Sequence, residues 1–155
     1  MNPVRYKTEE EQLKIVKENA NNMRFIYNPS VKVQMAAIRE DADAIVYIDN
    51  PSEAVQLEAV KENGYAIRYI DNPSEAMQLE AVKENGYAIK YIHNPSEAVQ
   101  LEAVKQHDLA IQYIHNPSEK VIRYIIETED INTIQSMRID FEALPDELKL
   151  RLEII

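Results

Sequence analysis

Three histidines, a row of serines and a row of carboxylates are the side chains of this chain with a capacity for chemistry. Ser30, Ser52, Ser74, Ser96 and Ser118 stand 22 residues apart, each behind an Asn-Pro pair. They sit beside helix-capping positions, where a hydroxyl serves first-turn hydrogen bonding. His93 and His115 share one slot of that spacing, following Asp49 and Asp71. Stacked helices lie roughly 8–10 Å apart, so two imidazoles would have to lean together to share a metal. A surface row ahead of the helix caps is the simpler expectation, and no metal site is assigned. His107 stands where other units carry a turn asparagine and reads as a turn residue. There is no cysteine nucleophile, no Gly-rich phosphate loop and no H-E-x-x-H helix, and two glycines make a nucleotide cradle implausible. No catalytic residue and no cofactor is assigned, and the chain is expected not to be an enzyme.

The carboxylates read as structural. Glu53, Glu75, Glu97 and Glu119 fall three residues after an asparagine, the spacing of a capping box. Glu58, Glu80 and Glu102 lie on an exposed stripe beside Lys61, Lys83 and Lys105, and Glu58 with Lys61 forms an i, i+3 pair. That is the pattern of a solvated, salt-bridged face. An acidic ladder imitating DNA phosphates is the alternative, and the interleaved lysines weaken it.

These side chains need a frame that repeats with them. Asn-Pro-Ser occurs at Asn28, Asn50, Asn72, Asn94 and Asn116, always 22 residues apart, and a fixed period with retained apolar positions is the signature of stacked units. The best copies are NPSEAVQLEAVKENGYAIRYID from Asn50 and NPSEAMQLEAVKENGYAIKYIH from Asn72. In each, Asn serves as N-cap, Pro as the first helical residue and Glu as its capping-box partner. The long helix ends near Asn63, where Gly64 is expected to supply a left-handed stop. A short helix, Tyr65 to Ile70, follows. Long helices are expected at about Pro29–Asp41, Pro51–Asn63, Pro73–Asn85 and Pro95–His107, with altered turns where Ala20, Ala42 or Asp108 replaces the stop glycine.

On a helical wheel Val55, Leu57, Ala59 and Val60 cover a broad arc of about 200°, which suits a helix wedged between two copies of itself. Gln56 falls inside that arc, and Gln12, Gln34, Gln78 and Gln100 share its slot. A buried amide needs partners, so the slot predicts a ladder of glutamines bonded to neighbouring turns. Ala66, Ile67 and Ile70 point inward from the short helix. Phe25, Tyr47, Tyr69, Tyr91 and Tyr113 occupy one aromatic slot, expected to pack unit on unit with hydroxyls at the surface.

The resulting fold class is all-α, a right-handed α-solenoid of about six 22-residue helix-turn-short-helix repeats with a C-terminal capping helix. It forms one domain over 1–155, with repeats at 6–27, 28–49, 50–71, 72–93 and 94–115. A degenerate repeat follows at 116–138, losing register after Val121, then a cap at 139–155. A net charge of −10 and a pI near 4.8 repel phosphate backbones, so direct nucleic-acid binding is disfavoured. No apolar run reaches the roughly 18 residues of a membrane span, and the N-terminus has no signal-peptide core. The absence of cysteine is compatible with a reducing cytoplasm, the expected location.

The core VQLEAVKENGYAIRYI resembles a family of short helical repeats of undefined function, whose consensus runs like VLAAVKQNGxALxYA. It is also similar to variant leucine-rich repeats, which pair a long and a short helix. The resemblance runs from Tyr6 to roughly Val121. It implies the solenoid fold and no activity, and such repeats occur in bacteria, bacteriophages, large DNA viruses and protists. The leading Asn-Pro-Ser departs from the charged linkers of that consensus.

The functional clue is variation against a fixed frame. One short-helix slot reads Asn21, Asp43, Tyr65, Tyr87, Leu109; another reads Arg24, Val46, Arg68, Lys90, Gln112. Both face away from the apolar side, and short inner helices tend to line the concave surface where solenoids bind. Tyr65, Arg68, Tyr87 and Lys90 would form an aromatic and basic patch, bordered by His93 and Gln112, and Tyr and Arg are enriched in binding hot spots. The chain is therefore expected to be a non-enzymatic scaffold for a protein partner, which the resemblance narrows to a phage-encoded inhibitor of a bacterial enzyme or defence complex. A small-ligand or nucleotide sponge and the acidic DNA mimic are the alternatives.

Overall fold

The Asn-Pro-Ser corners at Asn28, Asn50, Asn72 and Asn94 each do three jobs in three residues. In the computed structural model, which describes residues 8–129 together with Asp146 and Lys149, Asn28, Asn50, Asn72 and Asn94 take positive φ values of 50 to 52°. Asparagine tolerates this left-handed region better than most residues. Proline then fixes φ, and serine caps the helix. The N-cap is thus Ser52, not Asn50, and Glu53 is the first helical residue, not a capping-box partner. Ser30, Ser74, Ser96 and Ser118 accept from the backbone N–H of Val33, Met77, Val99 and Val121, while Ser52 makes no such bond. Thr8 and Glu11 do form a reciprocal capping box.

The long helices are α1 (Glu9–Glu18), α2 (Val31–Glu40), α3 (Glu53–Glu62), α4 (Glu75–Glu84), α5 (Glu97–Gln106) and α6 (Glu119–Thr128). They begin two residues later than expected because the cap is serine. Between them lie five 3-10 helices, Ala20–Phe25, Ala42–Tyr47, Gly64–Tyr69, Gly86–Tyr91 and Asp108–Tyr113. Long helices pack on long neighbours and short on short. Each of the short helices Gly64–Tyr69 and Gly86–Tyr91 also wedges against the long helix of its own unit and that of the next. The protein is an all-α solenoid, with no strand among the described residues.

The expected left-handed glycine stop is overturned. Neither glycine has positive φ, and the residue before each is extended, Asn63 at φ −154° and Asn85 at −152°. Gly64 is needed for space. A Cβ there would stand 2.3 Å from the Ala81 carbonyl oxygen of the next unit, and on Gly86 2.4 Å from that of Ala103. The units therefore approach backbone to backbone at this slot. Ala20, Ala42 and Asp108 bring no altered turn either, because the preceding residues keep the same extended geometry, from φ −162° at Asn19 to −147° at His107.

The core runs the length of the stack. Val55, Ala59, Val60, Ala66, Ile67 and Ile70 are buried as the wheel predicts, and their counterparts repeat in the neighbouring units. Leu57 is half-buried. The sixth long helix stays in register past Val121: Val121, Ile122, Ile125 and Ile126 are buried where Val99, Gln100, Ala103 and Val104 sit one unit earlier. The proposed cap at 139–155 and the short helix of that unit lie outside the described residues, save for Asp146 and Lys149.

The glutamine ladder exists with a different partner set. Gln34, Gln56, Gln78 and Gln100 each donate from Nε2 to the proline carbonyl at the start of their own unit, at 2.9 to 3.1 Å. Gln100 alone of these is fully buried, and its Oε1 also accepts from Ser118 N of the next unit at 2.9 Å. The other three are half-buried. The slot thus mainly ties each helix to its own corner.

Candidate functional site

The short helices present one face to their own core and the opposite face to solvent. Ile67, Ile89 and Ile111 anchor the buried side. That leaves slots 65, 68 and 69 of the unit, and their equivalents, on or near the surface. The aromatic slot is the first correction here. Phe25, Tyr47, Tyr69 and Tyr113 are exposed, Tyr113 by 47 %, and Tyr91 is half-buried. Tyr65 and Tyr87, expected at the surface, are instead half-buried and pack against the core. A 3-10 helix turns faster than an α-helix, which rotates the ring at slot 69 outward and leaves the ring at slot 65 between units.

The rings interleave across units. Tyr65 meets Tyr91 edge-on with centroids 5.9 Å apart, and Tyr87 meets Tyr113 in the same way at 6.2 Å. Lys90 Nζ lies 4.7 Å from the Tyr65 centroid and 4.8 Å from that of Tyr91. Both distances fall within cation–π range. Arg68 stacks over Tyr69 at 4.5 Å and pairs with Asp43 of the preceding unit at 2.7 Å. Hydrogen bonding from Arg68 and then Lys90 lowers the Tyr91 phenol below the usual tyrosine value. His107 is more than a turn residue: its ring stacks on Tyr87 at 4.5 Å.

The two variable slots meet at a fixed offset between units. The slot of Asp43, Tyr65 and Tyr87 contacts or neighbours the slot of Arg68, Lys90 and Gln112 one unit plus three residues later. Asp43 with Arg68 is an ion pair, Tyr65 with Lys90 is cation–π, and Tyr87 and Gln112 line one recess. The two variable slots therefore vary as partners. Tyr91, Tyr113 and His107, not assigned to the patch from the sequence, contact its rings. The available signal was the recurrence of the aromatic slot beside a charged one.

Below this ladder, two successive pairs of units leave a groove between short helix and Asn-Pro corner. One, of about 590 Å³, is walled by Arg68, Asp71, Gln78, Tyr91 and His93. The next, of about 340 Å³, is walled by Lys90, His93, Gln100, Tyr113 and His115. The structure thus brings Tyr65, Tyr87, Lys90 and Gln112 together in one recess and puts His93 between two grooves, while Arg68 faces the earlier one.

On the long-helix face, Glu58 pairs with Arg39 of the preceding unit at 2.6 Å rather than with Lys61, while Glu80 and Lys83 form the expected i, i+3 pair at 2.9 Å. Carboxylates there are partly neutralised by neighbours. Among the described residues no three His, Asp or Glu side chains cluster as a metal site, and no helix is long and apolar enough to cross a membrane. No protein-family model, no curated protein and no solved structure matches this chain.

Proposed function

We propose that the protein is a non-enzymatic scaffold that binds a protein partner through the short-helix face, centred on Tyr65, Arg68, Tyr87 and Lys90 and bordered by His93 and Gln112. The supporting observation is the interleaved ladder, in which Tyr65, Lys90 and Tyr91 hold one another in place. Rings with few torsions, already fixed by neighbours, lose little entropy when a partner covers them. The exposed Tyr69 and Tyr113 extend the same surface along the array. The resemblance to helical repeats found in phages makes an inhibitor of a bacterial enzyme or defence complex one concrete form of this role.

The test is calorimetry with the partner recovered by affinity capture. Tyr65→Ala with Lys90→Ala should weaken binding by about 2 kcal/mol or more, roughly thirtyfold, with the helical signal unchanged. Charge reversals at Glu58, Glu80 and Glu102 should mainly slow association in a salt-dependent way. Intact affinity in the first variant, with binding abolished in the second, would overturn the proposal. The acidic-mimic reading would then lead.

A further inference from the structure

The two grooves differ in charge although they are built from equivalent slots. The earlier one contains a carboxylate, Asp71, beside Arg68. The later one is walled by Lys90, His93, Tyr113 and His115 and contains no aspartate or glutamate. In a chain of net charge −10, that makes it a local exception. The cause is the rim slot, which carries Asp49 and Asp71 in two units and His93 and His115 in the next two.

The polar atoms of the groove floor are already satisfied. The Pro95 carbonyl accepts from Gln100 Nε2, and Gln100 Oε1 accepts from Ser118 N. Ile92 and Ile114, each 7 % exposed, add a small apolar surface to that floor. Beside the exposed amides of Asn94 and Asn116, the side chains left for a ligand are Lys90, which has no carboxylate partner among the described residues, the two imidazoles and the Tyr113 hydroxyl, and no carboxylate lines the groove. We propose that this groove binds an extended acidic segment of the partner protein, its carboxylates on Lys90, His93 and His115 and its alternate apolar side chains on the isoleucine floor.

Two physical points select this occupant. An extended chain turns successive side chains to opposite sides, which matches a floor of one character and a rim of the other. A nucleic acid would carry its row of phosphates beyond the groove, where the adjacent groove already holds Asp71 and the chain as a whole bears a net charge of −10. A short peptide confines its few carboxylates to the groove itself. The inference rests on the proposed protein-binding role and names the partner's chemistry.

The experiment is amide and side-chain NMR titration of the full chain at low salt with a blocked hexapeptide of alternating glutamate and leucine. Controls are its glutamine–leucine and lysine–leucine counterparts, hexathymidylate and inorganic phosphate. The expected result is saturable shifts confined to Lys90, His93, Tyr113, His115 and their neighbours, seen with the glutamate peptide alone. Lys90→Gln should weaken binding about fivefold, and His93→Ala with His115→Ala further. Lys32→Gln, on an exposed cation elsewhere, should leave it unchanged. Shifts scattered over all lysines, equal binding of the glutamine peptide, or equal binding of hexathymidylate or phosphate would each overturn the proposal, as would no shift at all. The captured partner distinguishes the two claims: if it still depends on Tyr65 while the groove stays silent, the acidic-segment inference fails and the binding face stands. If it ignores both, the proposed role fails as well.

Discussion

Replacing Gln100 by alanine removes two hydrogen bonds in one step. Its Nε2 donates to the Pro95 carbonyl at 3.0 Å, and its Oε1 accepts from Ser118 N at 2.9 Å. The first bond closes the corner of its own unit and the second clamps the next unit. Both partners are half-buried, so water reaches the orphaned groups in part, and each costs near the low end of the roughly 1–3 kcal/mol for an unsatisfied group. Loss of one buried methylene adds about 0.8 kcal/mol. The expected loss is about 2–3 kcal/mol. Gln78 makes one such bond, to Pro73 at 2.9 Å, so Gln78→Ala should cost about 1 kcal/mol. Gln112 is exposed, and Gln112→Ala should stay within about 0.5 kcal/mol. Equilibrium urea unfolding followed by far-UV circular dichroism measures all three. Gln100→Met keeps most of the volume and removes both bonds, so it should retain most of the loss. If Gln100→Ala costs no more than Gln112→Ala, the glutamine slot holds nothing together and the ladder reasoning is wrong.

Other perturbations follow from the corners and the ladder. Gly64→Ala places a Cβ against the Ala81 carbonyl oxygen and should destabilise by about 1–3 kcal/mol through overpacking; an unchanged urea midpoint would show that the units slide apart freely. Asn72, at φ 52°, should tolerate glycine, whereas Asn72→Ala should cost about 1 kcal/mol, because alanine keeps the Cβ but lacks the short polar side chain that lets asparagine hold the left-handed region, and equal midpoints for the two variants would contradict the corner geometry. In an ultraviolet titration of the phenols, the Tyr91 midpoint should fall below that of an ordinary tyrosine because of Arg68 first and Lys90 second. Arg68→Ala and Lys90→Ala should each move it upward, and a Tyr91 midpoint indifferent to both would refute the ladder electrostatics.

The period, the helical class and the inward set were legible without coordinates. A 22-residue spacing of Asn-Pro-Ser marks the units, and Val55, Ala59, Val60, Ala66, Ile67 and Ile70 sit in the core as their spacing requires. These properties belong to one unit at a time. They follow from local backbone preference and from the need of each helix to hide its apolar stripe. Even within a unit, capping chemistry allowed two answers, since asparagine and serine both cap helices well. Spacing alone favours asparagine as the cap, and the left-handed corner gives that role to serine.

What only the tertiary structure decided lies between units. The reason for Gly64 is a carbonyl oxygen 17 positions further along the chain, at Ala81. The partner of Arg68 is Asp43, and the support of Lys90 is Tyr65 as well as its own neighbour Tyr91. Periodicity within a unit says which residues face outward but not the offset at which one unit stacks on the next. That offset comes from the packing of one unit on the next, with a close backbone approach at Gly64 and Gly86, and from the faster turn of a 3-10 helix. It turned the expected core aromatics Tyr69 and Tyr113 toward solvent and drew Tyr65 and Tyr87 partly in. The same stacking places His93 and His115 around one groove with Lys90, because side chains 22 residues apart become neighbours only once the units are stacked.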